Sequence, residues 1–236
     1  MNAGWLLLLL ALGNGVVFAV SGVGTRFELW DYRVGLQILR GSGIAALVLG
    51  ALAIVVLLIP RLRAGGAASA IAALIVSLGV VALPLKWLQQ AQNLPAINDI
   101  TTDTTNPPAF VAILARRASA PVPAAYPGAS VAQAQRAAYP DIAPLALRVP
   151  PAVAFAKAEE VARMAGWEIV AADRAAGRIE ATATTAWFGF KDDIVVRIAP
   201  APGGSRIDVR SVSRVGKSDL GINAQRIRTY LSRLAA

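Results

Sequence analysis

The chain has 236 residues, of which 56% are hydrophobic and only 16% charged, and its formal net charge is +9. This composition is too apolar for a soluble enzyme and indicates membrane-spanning segments. The chain has no Cys and no His, which excludes disulfides, thiol nucleophiles, histidine general bases and the commonest ligands of zinc.

Residues 1–90 contain three long uncharged stretches. Each is long enough to cross a hydrocarbon core of about 30 Å at about 1.5 Å per helical residue. They predict transmembrane helices at about residues 4–23, 41–60 and 66–88. The first stretch could instead be a cleaved secretory signal. It lacks a basic N-terminal region, however, and no small-x-small cleavage site follows it, so we predict that it is retained.

The uncharged stretches themselves, residues 1–25, 41–60 and 64–85, contain no ionisable side chain. Ion and proton pathways through a membrane usually need such groups, so the helices are predicted to be an anchor. Their many Gly, Ala and Ser residues favour close helix packing, either within one chain or between copies in a homo-oligomer.

The positive-inside rule leaves the orientation of this anchor nearly undecided. Four cations flank the membrane on the side of the C-terminal half, against two cations and the terminal amine on the other side. They are Arg26, Arg33, Arg40 and Lys86 on the first side and Arg61 and Arg63 on the second. By this count alone, a cytoplasmic C-terminal half is slightly favoured.

Residues 91–149 form a Pro-rich segment that cannot be one long helix or a sheet, because proline fixes its own backbone and restricts the residue before it. Short helices are predicted at 109–118 and 131–138. The segment also contains more Phe, Tyr, Ile and Leu than a solvated linker would. We therefore predict that it, including its Thr/Asp motif, wraps around the domain that follows.

Residues 150–236 show the pattern of a compact α-β-β-β-β-α domain. Helices are predicted from three- and four-residue apolar spacing, and strands from the alternation of apolar and polar residues. The helices are expected at 152–165 and 219–234, and the strands at 167–172, 178–187, 193–199 and 206–213. The predicted class is α+β, with a four-stranded antiparallel sheet packed by two helices in a helix-grip-like arrangement.

Four blocks of this half resemble, in order and in content, the bacterial and plastid family catalogued as domain of unknown function 1499. The blocks are NDITTDTTNPPAF at 98–110, YPDI at 139–142, WFGFKDD at 187–193 and VRSVSRVGKSDLGIN at 209–223. The resemblance extends over about 97–235. The motif residues are Asp99, Thr101, Thr102, Asp103, Pro107, Pro108, Asp192, Asp193 and Asn223.

The resemblance implies a location but no chemistry, because the family has no assigned activity. The three helices resemble those of the membrane-anchored, mostly proteobacterial members, which implies a multi-pass protein of the bacterial inner membrane. Other members look like lipoproteins. This implies that the C-terminal domain is extracytoplasmic, and we therefore predict that it is periplasmic.

Two groups of acidic residues invite a chemical interpretation. Asp99, Asp103 and Asn106 could ligate Ca²⁺ or Mg²⁺, but their spacing is not that of an EF-hand loop, and side chains that cap their own backbone explain the motif as well. Asp192 and Asp193 are neighbours in a strand and point to opposite faces, so they cannot easily share a proton. We assign no catalytic residue, metal or cofactor.

The strongest candidate site is the turn before the last helix, where cations and hydroxyls meet a predicted helix N-terminus that attracts anions. We predict an anion-binding or partner-binding surface there. Its residues are Arg210, Ser213, Arg214, Lys217, Ser218 and Asp219. The alternative is an internal network, in which Arg210 or Arg214 pairs with Asp192, Asp193 or Asp208 and only fastens strand to helix.

Two classes of function follow from these residues. The first is a membrane-anchored binding or assembly module of the cell envelope, whose Arg-rich domain meets a partner protein or anionic lipid. The second is an enzyme that uses Asp99, Asp103 or Asp193 on a polar envelope substrate. The chain has no nucleophile-plus-base spacing, which favours the first class. Nucleic acid is not a predicted partner, because aromatic residues do not alternate with the cations.

Overall fold

The computed structural model of the protein describes residues 2–236, which form two compact units. The first unit extends to Gln90 and also includes Ala186–Gly189. The second unit comprises Ala91–Thr185 and Phe190–Ala236.

The first unit is helical. Its helices are α1 (Ala3–Arg26), α2 (Tyr32–Leu58), the single turn α3 (Pro60–Arg63) and α4 (Ala67–Asn93), whose last residues reach into the second unit. Three of the four, α1, α2 and α4, are long and apolar enough to cross a membrane. The predicted anchor of three apolar helices is therefore confirmed.

The start of α2 differs from the prediction. The helix begins at Tyr32 and not near residue 41, because Asp31 caps it: the Asp31 carboxylate accepts a hydrogen bond of 2.9 Å from the Arg33 amide. The prediction took the first uncharged residue after Arg40 as the start of the span. The helix itself starts earlier, at the residue that follows its Asp31 cap.

Small and polar residues join the helices of the first unit. Ala11, Ala53, Ala70 and Ala73 are buried together in one cluster. Between α1 and α2, the Asn14 side-chain amide donates to the Ser42 carbonyl over 3.0 Å, and the Ser42 hydroxyl donates to Asn14 Oδ1 over 2.9 Å. In an apolar solvent this reciprocal pair satisfies both polar side chains.

The second unit is built on an antiparallel sheet of six strands, and its predicted α+β class is confirmed. The strands are β1 (Asp99–Thr101), β2 (Leu145–Leu147), β3 (Glu168–Asp173), β4 (Arg178–Thr184), β5 (Lys191–Ala201) and β6 (Gly204–Ser213). The order is β1-β6-β5-β4-β3, and β2 also pairs with β6. The helices are α5 (Ala129–Ala138), α6 (Pro151–Met164) and α7 (Ile222–Ala235), with a 3-10 helix at Ala112–Arg117.

The sheet has two strands more than the four predicted. Both come from the Pro-rich segment and pair with the same edge of β6, with Thr101 opposite Arg210 and Leu147 opposite Ser205. Each is three residues long, too short for alternation to reveal it. The edge of β6 would otherwise present unpaired backbone groups, and these two strands satisfy them.

One face of the sheet is apolar and carries α6 and α7. Phe155 and Val161 of α6, Ile227 of α7 and Ile194 of β5 share a single buried cluster. The Tyr230 hydroxyl on α7 donates to the Ala158 carbonyl on α6 over 2.8 Å, which joins the two helices. This cluster is the main core of the second unit.

The other face of the sheet is covered by residues 102–127, which we call the strap. Phe110 and Ile113 of the strap pack on Val195 and Val212 of the sheet. The buried carboxylate of Glu180 accepts hydrogen bonds of 3.0–3.1 Å from the amides of Val111, Ala112 and Ile113. The first turn of the 3-10 helix is thereby capped by a side chain from β4.

Candidate functional site

The face of the sheet beneath the strap carries charged and polar side chains, and we call it the charged face. Successive residues of a strand alternate between faces, so the register of β4, β5 and β6 arranges these side chains in rows across the sheet. The rows are Thr184, Lys191 and Arg214; Thr182, Asp193 and Val212; Glu180, Val195 and Arg210; and Arg178, Arg197 and Asp208.

Asp193 is the centre of the charged face, and two arginines share it. Arg117 Nη1 donates to its Oδ2 over 2.8 Å, and Arg214 donates through Nε and Nη2 over 2.9 and 2.8 Å. The Thr182 hydroxyl lies 2.9 Å from Oδ1. The side chains of Asp193 and Arg117 are 0% and 2% exposed, whereas that of Arg214 is 16% exposed. One buried carboxylate therefore faces two guanidinium groups.

Arg117 does not find a partner for every donor. Its Nε is buried and makes no hydrogen bond, although Nη2 donates to the Val122 carbonyl over 3.0 Å. Burial lowers the pKa of Arg117, Asp193 raises it, and the neighbouring charges of Arg214 and Arg210 lower it. The positive charge at this point is thus only partly compensated.

Asp99 and Arg210 form a second buried pair. Arg210 Nε and Nη2 donate to the two carboxylate oxygens over 2.9 and 2.7 Å, a bidentate geometry. Arg210 also donates to the carbonyls of Pro108 and Ala124 in the strap. The ring of Phe110 lies against the Arg210 guanidinium, 5.1 Å from its centroid. Arg210, predicted as a binding residue, is therefore enclosed by the strap.

Asp103 belongs to a third cluster, with Arg197 and Arg206, whose Nη2 atoms lie 3.2 and 2.8 Å from its Oδ2. Burial raises the pKa of Asp103, but hydrogen bonds from the Asn106 and Thr105 amides and the two arginines outweigh it, so the pKa lies below 3.8. No group of three or more acidic, His or Cys side chains in residues 2–236 is arranged to hold a metal ion.

The other motif residues of the first block hold the backbone. The Thr101 amide donates to Gln135 Oε1 over 3.0 Å, and the Thr102 hydroxyl accepts from the Val209 amide over 2.9 Å. Pro107 is half-buried in the strap beside the buried Pro108. These contacts fasten the strap and β1 to the sheet.

Asp192 and Asp193 point to opposite faces, as expected for neighbours in a strand. Asp192 pairs with Arg226 of α7 over 2.6 Å. On the same side, Asn223 donates to Ser213 Oγ over 3.0 Å and its Oδ1 accepts from Ser211 Oγ over 2.6 Å. These contacts join α7 to the start of β5 and to the end of β6.

The start of α7 is occupied by a carboxylate of the chain itself. Asp219 accepts hydrogen bonds from the amides of Gly221 and Asn223 over 2.9 and 2.8 Å. Ser218 Oγ accepts from the Leu220 amide over 3.2 Å. Burial raises the pKa of Asp219, and the hydrogen bonds from Asn223 and Gly221 act against it. The amides predicted to hold an external anion are thus already satisfied.

The six predicted binding residues therefore do not form one surface. Arg210 lies beneath the strap, and Ser213 and Asp219 belong to the α7 side. Arg214 is ion-paired with Asp193, as the internal-network alternative expected. Lys217 is exposed in the turn after β6.

Sequence reasoning missed two residues beside Arg214. Lys191 lies next to it across the strands, since the Arg214 amide donates to the Lys191 carbonyl over 3.0 Å. Thr184 lies opposite Lys191 in β4. The sequence indicates these two residues only through the predicted hairpin between the strands that contain them. Pairing those strands outward from the hairpin would have placed Thr184 opposite Lys191.

These observations define a class of protein: a membrane-anchored α+β domain whose charged sheet face is held under a strap by arginine–carboxylate pairs. A family model for a protein of unknown function, domain of unknown function 1499, matches residues 99–234, and the chain belongs to this family. The resemblance seen in the sequence is thereby confirmed. No curated protein and no solved structure matches the chain.

Proposed function

We propose that the protein is a membrane-anchored binding module of the bacterial cell envelope, and that its second unit binds anionic lipid head groups. The observation that carries this proposal is the row of Thr184, Lys191 and Arg214 at the end of the charged face, which we call the anion row. Side chains directly opposite each other on neighbouring strands have Cβ atoms about 5 Å apart. The row therefore places a threonine, a lysine and an arginine next to one another on three neighbouring strands, on one face of the sheet.

Arg214 offers a free edge to a ligand. Its Nε and Nη2 donate hydrogen bonds to the Asp193 carboxylate, and Nη2 also donates to the Thr182 hydroxyl. No hydrogen bond of Nη1 occurs in the part of the chain that the structure describes. Two bonds to a buried carboxylate hold the guanidinium plane in place, so the side chain needs little ordering to receive an anion.

Lys191 and Lys217 supply charge that the protein does not neutralise. Every aspartate of the second unit except Asp219 is ion-paired with arginine, and Asp219 caps α7. Within residues 2–236, neither lysine has a carboxylate within 4.0 Å, and both are exposed. Exposed cations without partners attract anions from solution or from a membrane surface.

For a chain with three candidate membrane spans, lipid phosphate is the nearest available anion. The three candidate membrane spans would hold the protein in a bilayer. A protein anchored in this way is exposed to lipid head groups continuously, which supports a lipid ligand over a soluble one.

The proposal includes a location. The chain would be a multi-pass protein of the bacterial inner membrane, with the second unit in the periplasm. The support is the resemblance to relatives that look like lipoproteins, since the cation count favours neither side strongly. An acidic envelope protein is the competing partner for the same cations.

The catalytic alternative has less support. The three carboxylates that it would use are Asp99, Asp103 and Asp193, and each is ion-paired with arginine. A carboxylate whose oxygens already accept hydrogen bonds from guanidinium groups has few free lone pairs with which to bind or attack a substrate. These carboxylates fit a role in holding the strap.

The test is lipid binding by the full-length protein in detergent micelles, measured by native mass spectrometry. The double variant Lys191→Gln/Lys217→Gln removes the exposed lysine of the anion row and the exposed lysine of the turn after β6. The matched control, Arg148→Gln/Arg233→Gln, removes two exposed charges elsewhere: Arg148 follows β2, and Arg233 lies in the last turn of α7. At about 1 kcal/mol for each cation near a surface, the first variant should bind phosphatidylglycerol about 10- to 30-fold more weakly.

The control variant should bind phosphatidylglycerol as the wild type does, and neither variant should change the weak binding of phosphatidylcholine. A wild-type protein that binds both lipids equally would contradict the proposal. A photo-crosslinker at position 217 that captures one acidic protein in cells, and no lipid, would favour the competing partner.

A further inference from the structure

We infer that the loop Ala186–Gly189, which we call the tip loop, is a membrane-interface element whose Trp187 contacts lipid at the boundary of the hydrocarbon core. The tip loop connects β4 to β5 but belongs to the first unit. The inference follows from contacts within the first unit and does not depend on the anion row.

Trp187 packs on α1 through its ring and its indole nitrogen. Its ring centroid lies 5.1 Å from that of Phe18, and its Nε1 donates to the Ala19 carbonyl over 2.8 Å. Gly22 makes room for the indole, since a Cβ atom at that position would overlap it. The indole N–H therefore has a partner within the protein, as a tryptophan away from bulk water requires.

The backbone of the tip loop is held at the end of α1. Arg26, the last residue of α1, donates through Nη1 to the Ala186 carbonyl over 2.7 Å. Gly189 has a φ of +69°, and a Cβ atom there would lie 3.0 Å from the Arg26 Cα. Both ends of the tip loop are therefore fixed against the C-terminal part of α1.

The depth of these contacts follows from α4. Its residues from Ala67 to Leu85 are uncharged. At about 1.5 Å per residue they cover about 28 Å, close to the thickness of one hydrocarbon core. Lys86 and Trp87 follow directly and so lie at its boundary, where lysine and tryptophan are favoured. The Trp187 ring lies 5.8 Å from the Trp87 ring and therefore at nearly the same depth.

The length of α1 leads to the same depth. The Asn2 side chain, which caps the start of α1, donates to the Gly65 carbonyl over 2.7 Å, just before the start of α4. Trp187 lies against Phe18–Gly22, which are 15–19 residues beyond the first residue of α1. That distance is about 23–28 Å along a helix. Trp187 therefore lies at the far edge of a core of about 30 Å.

Part of the aromatic surface around the tip loop remains accessible. Trp87 and Trp187 are half-buried, whereas Phe188 is only 4% exposed. An indole is stable at this depth, because its ring is apolar and its N–H is polar. The accessible side of Trp187 thus fits a lipid surface, and the tip loop adds a contact with lipid to the three candidate spans.

The experiment uses the full-length protein, labelled with fluorotryptophan and placed in lipid nanodiscs, and fluorine NMR reads its signals. The chain has five tryptophans, and each resonance is assigned from the corresponding Trp→Phe variant. One lipid carries a nitroxide near the top of its acyl chain, and another carries it near the end. The first should broaden the Trp187 resonance at least about twofold more than the second, because half the core is about 15 Å deep. Trp87 should show the same preference.

A glycine variant tests the seat of Trp187 on α1. Gly22→Ala places a methyl group where the indole lies, so the Trp187 resonance should shift by more than its linewidth. Gly13→Ala is the matched control in the same helix. A Cβ atom at position 13 meets no other atom within 4 Å, so this variant should leave all five resonances unchanged.

Three results would overturn the inference. The first is a Trp187 resonance that neither nitroxide lipid broadens while Trp87 is broadened. The second is stronger broadening by the nitroxide at the end of the acyl chain, which would place Trp187 deep in the core. The third is a Gly22→Ala protein with an unchanged Trp187 resonance, which would show that the indole does not lie on α1.

Discussion

The sharing of Asp193 by two arginines predicts an unusual pattern of stability changes. Asp193→Asn leaves Arg117, whose side chain is 2% exposed, without a counter-charge. Removal of one partner from a buried pair costs about 3 to 5 kcal/mol, because the other charge stays desolvated. Arg214 adds little to this cost, because its side chain is 16% exposed and water reaches it.

The arginine variants should be milder. Arg214→Gln removes two hydrogen bonds to the carboxylate, but Asp193 keeps Arg117 and Thr182 as partners. We expect a loss of about 1.5 kcal/mol, at the low end for hydrogen bonds to charged groups. In the double variant Asp193→Asn/Arg214→Gln, one of the two repelling cations is gone. It should therefore be no less stable than Asp193→Asn alone.

The assay is amide hydrogen exchange of the full-length protein in detergent micelles, read by mass spectrometry on peptides from β5 and β6. Exchange reports the free energy of opening for the second unit without interference from the membrane helices. The control is Asp141→Asn, whose pair with Arg228 has side chains 53% and 37% exposed, and it should cost under about 1 kcal/mol. Strictly additive losses in the double variant, or a change under about 1 kcal/mol in Asp193→Asn, would refute the reasoning.

Two further predictions concern acid stability and topology. The pKa of Asp103 is lowered below 3.8, so folding favours its charged form. Its contribution to stability is complete above about pH 4 and is lost as the pH falls through the lowered value. Thermal unfolding between pH 7 and pH 3 should show a smaller acid loss in Asp103→Asn than in the wild type, and equal losses would contradict the assignment. Alkaline phosphatase fused after Ala236 should be active if the second unit is periplasmic, whereas a fluorescent green-protein fusion at the same point would show a cytoplasmic one.

Local sequence patterns determined the elements of this protein. A bilayer requires long apolar helices, so three uncharged stretches were enough to identify the anchor. Alternation in β4, β5 and β6 and apolar spacing in α6 and α7 identified the main elements of the second unit. These signals work because each depends on residues close together in the chain. The family resemblance came from motif order, which is also readable without coordinates.

The tertiary structure alone decided which charges meet. Arg117 and Asp193 are 76 residues apart in the chain, and Arg210 and Asp99 are 111 apart. Neither pair has a local pattern, because an ion pair depends on sheet register and on the path of the strap. Lys191 and Thr184 reach Arg214 only through strand pairing. The anion row therefore depends on three strands at once, and no single segment of the sequence contains enough information to predict it.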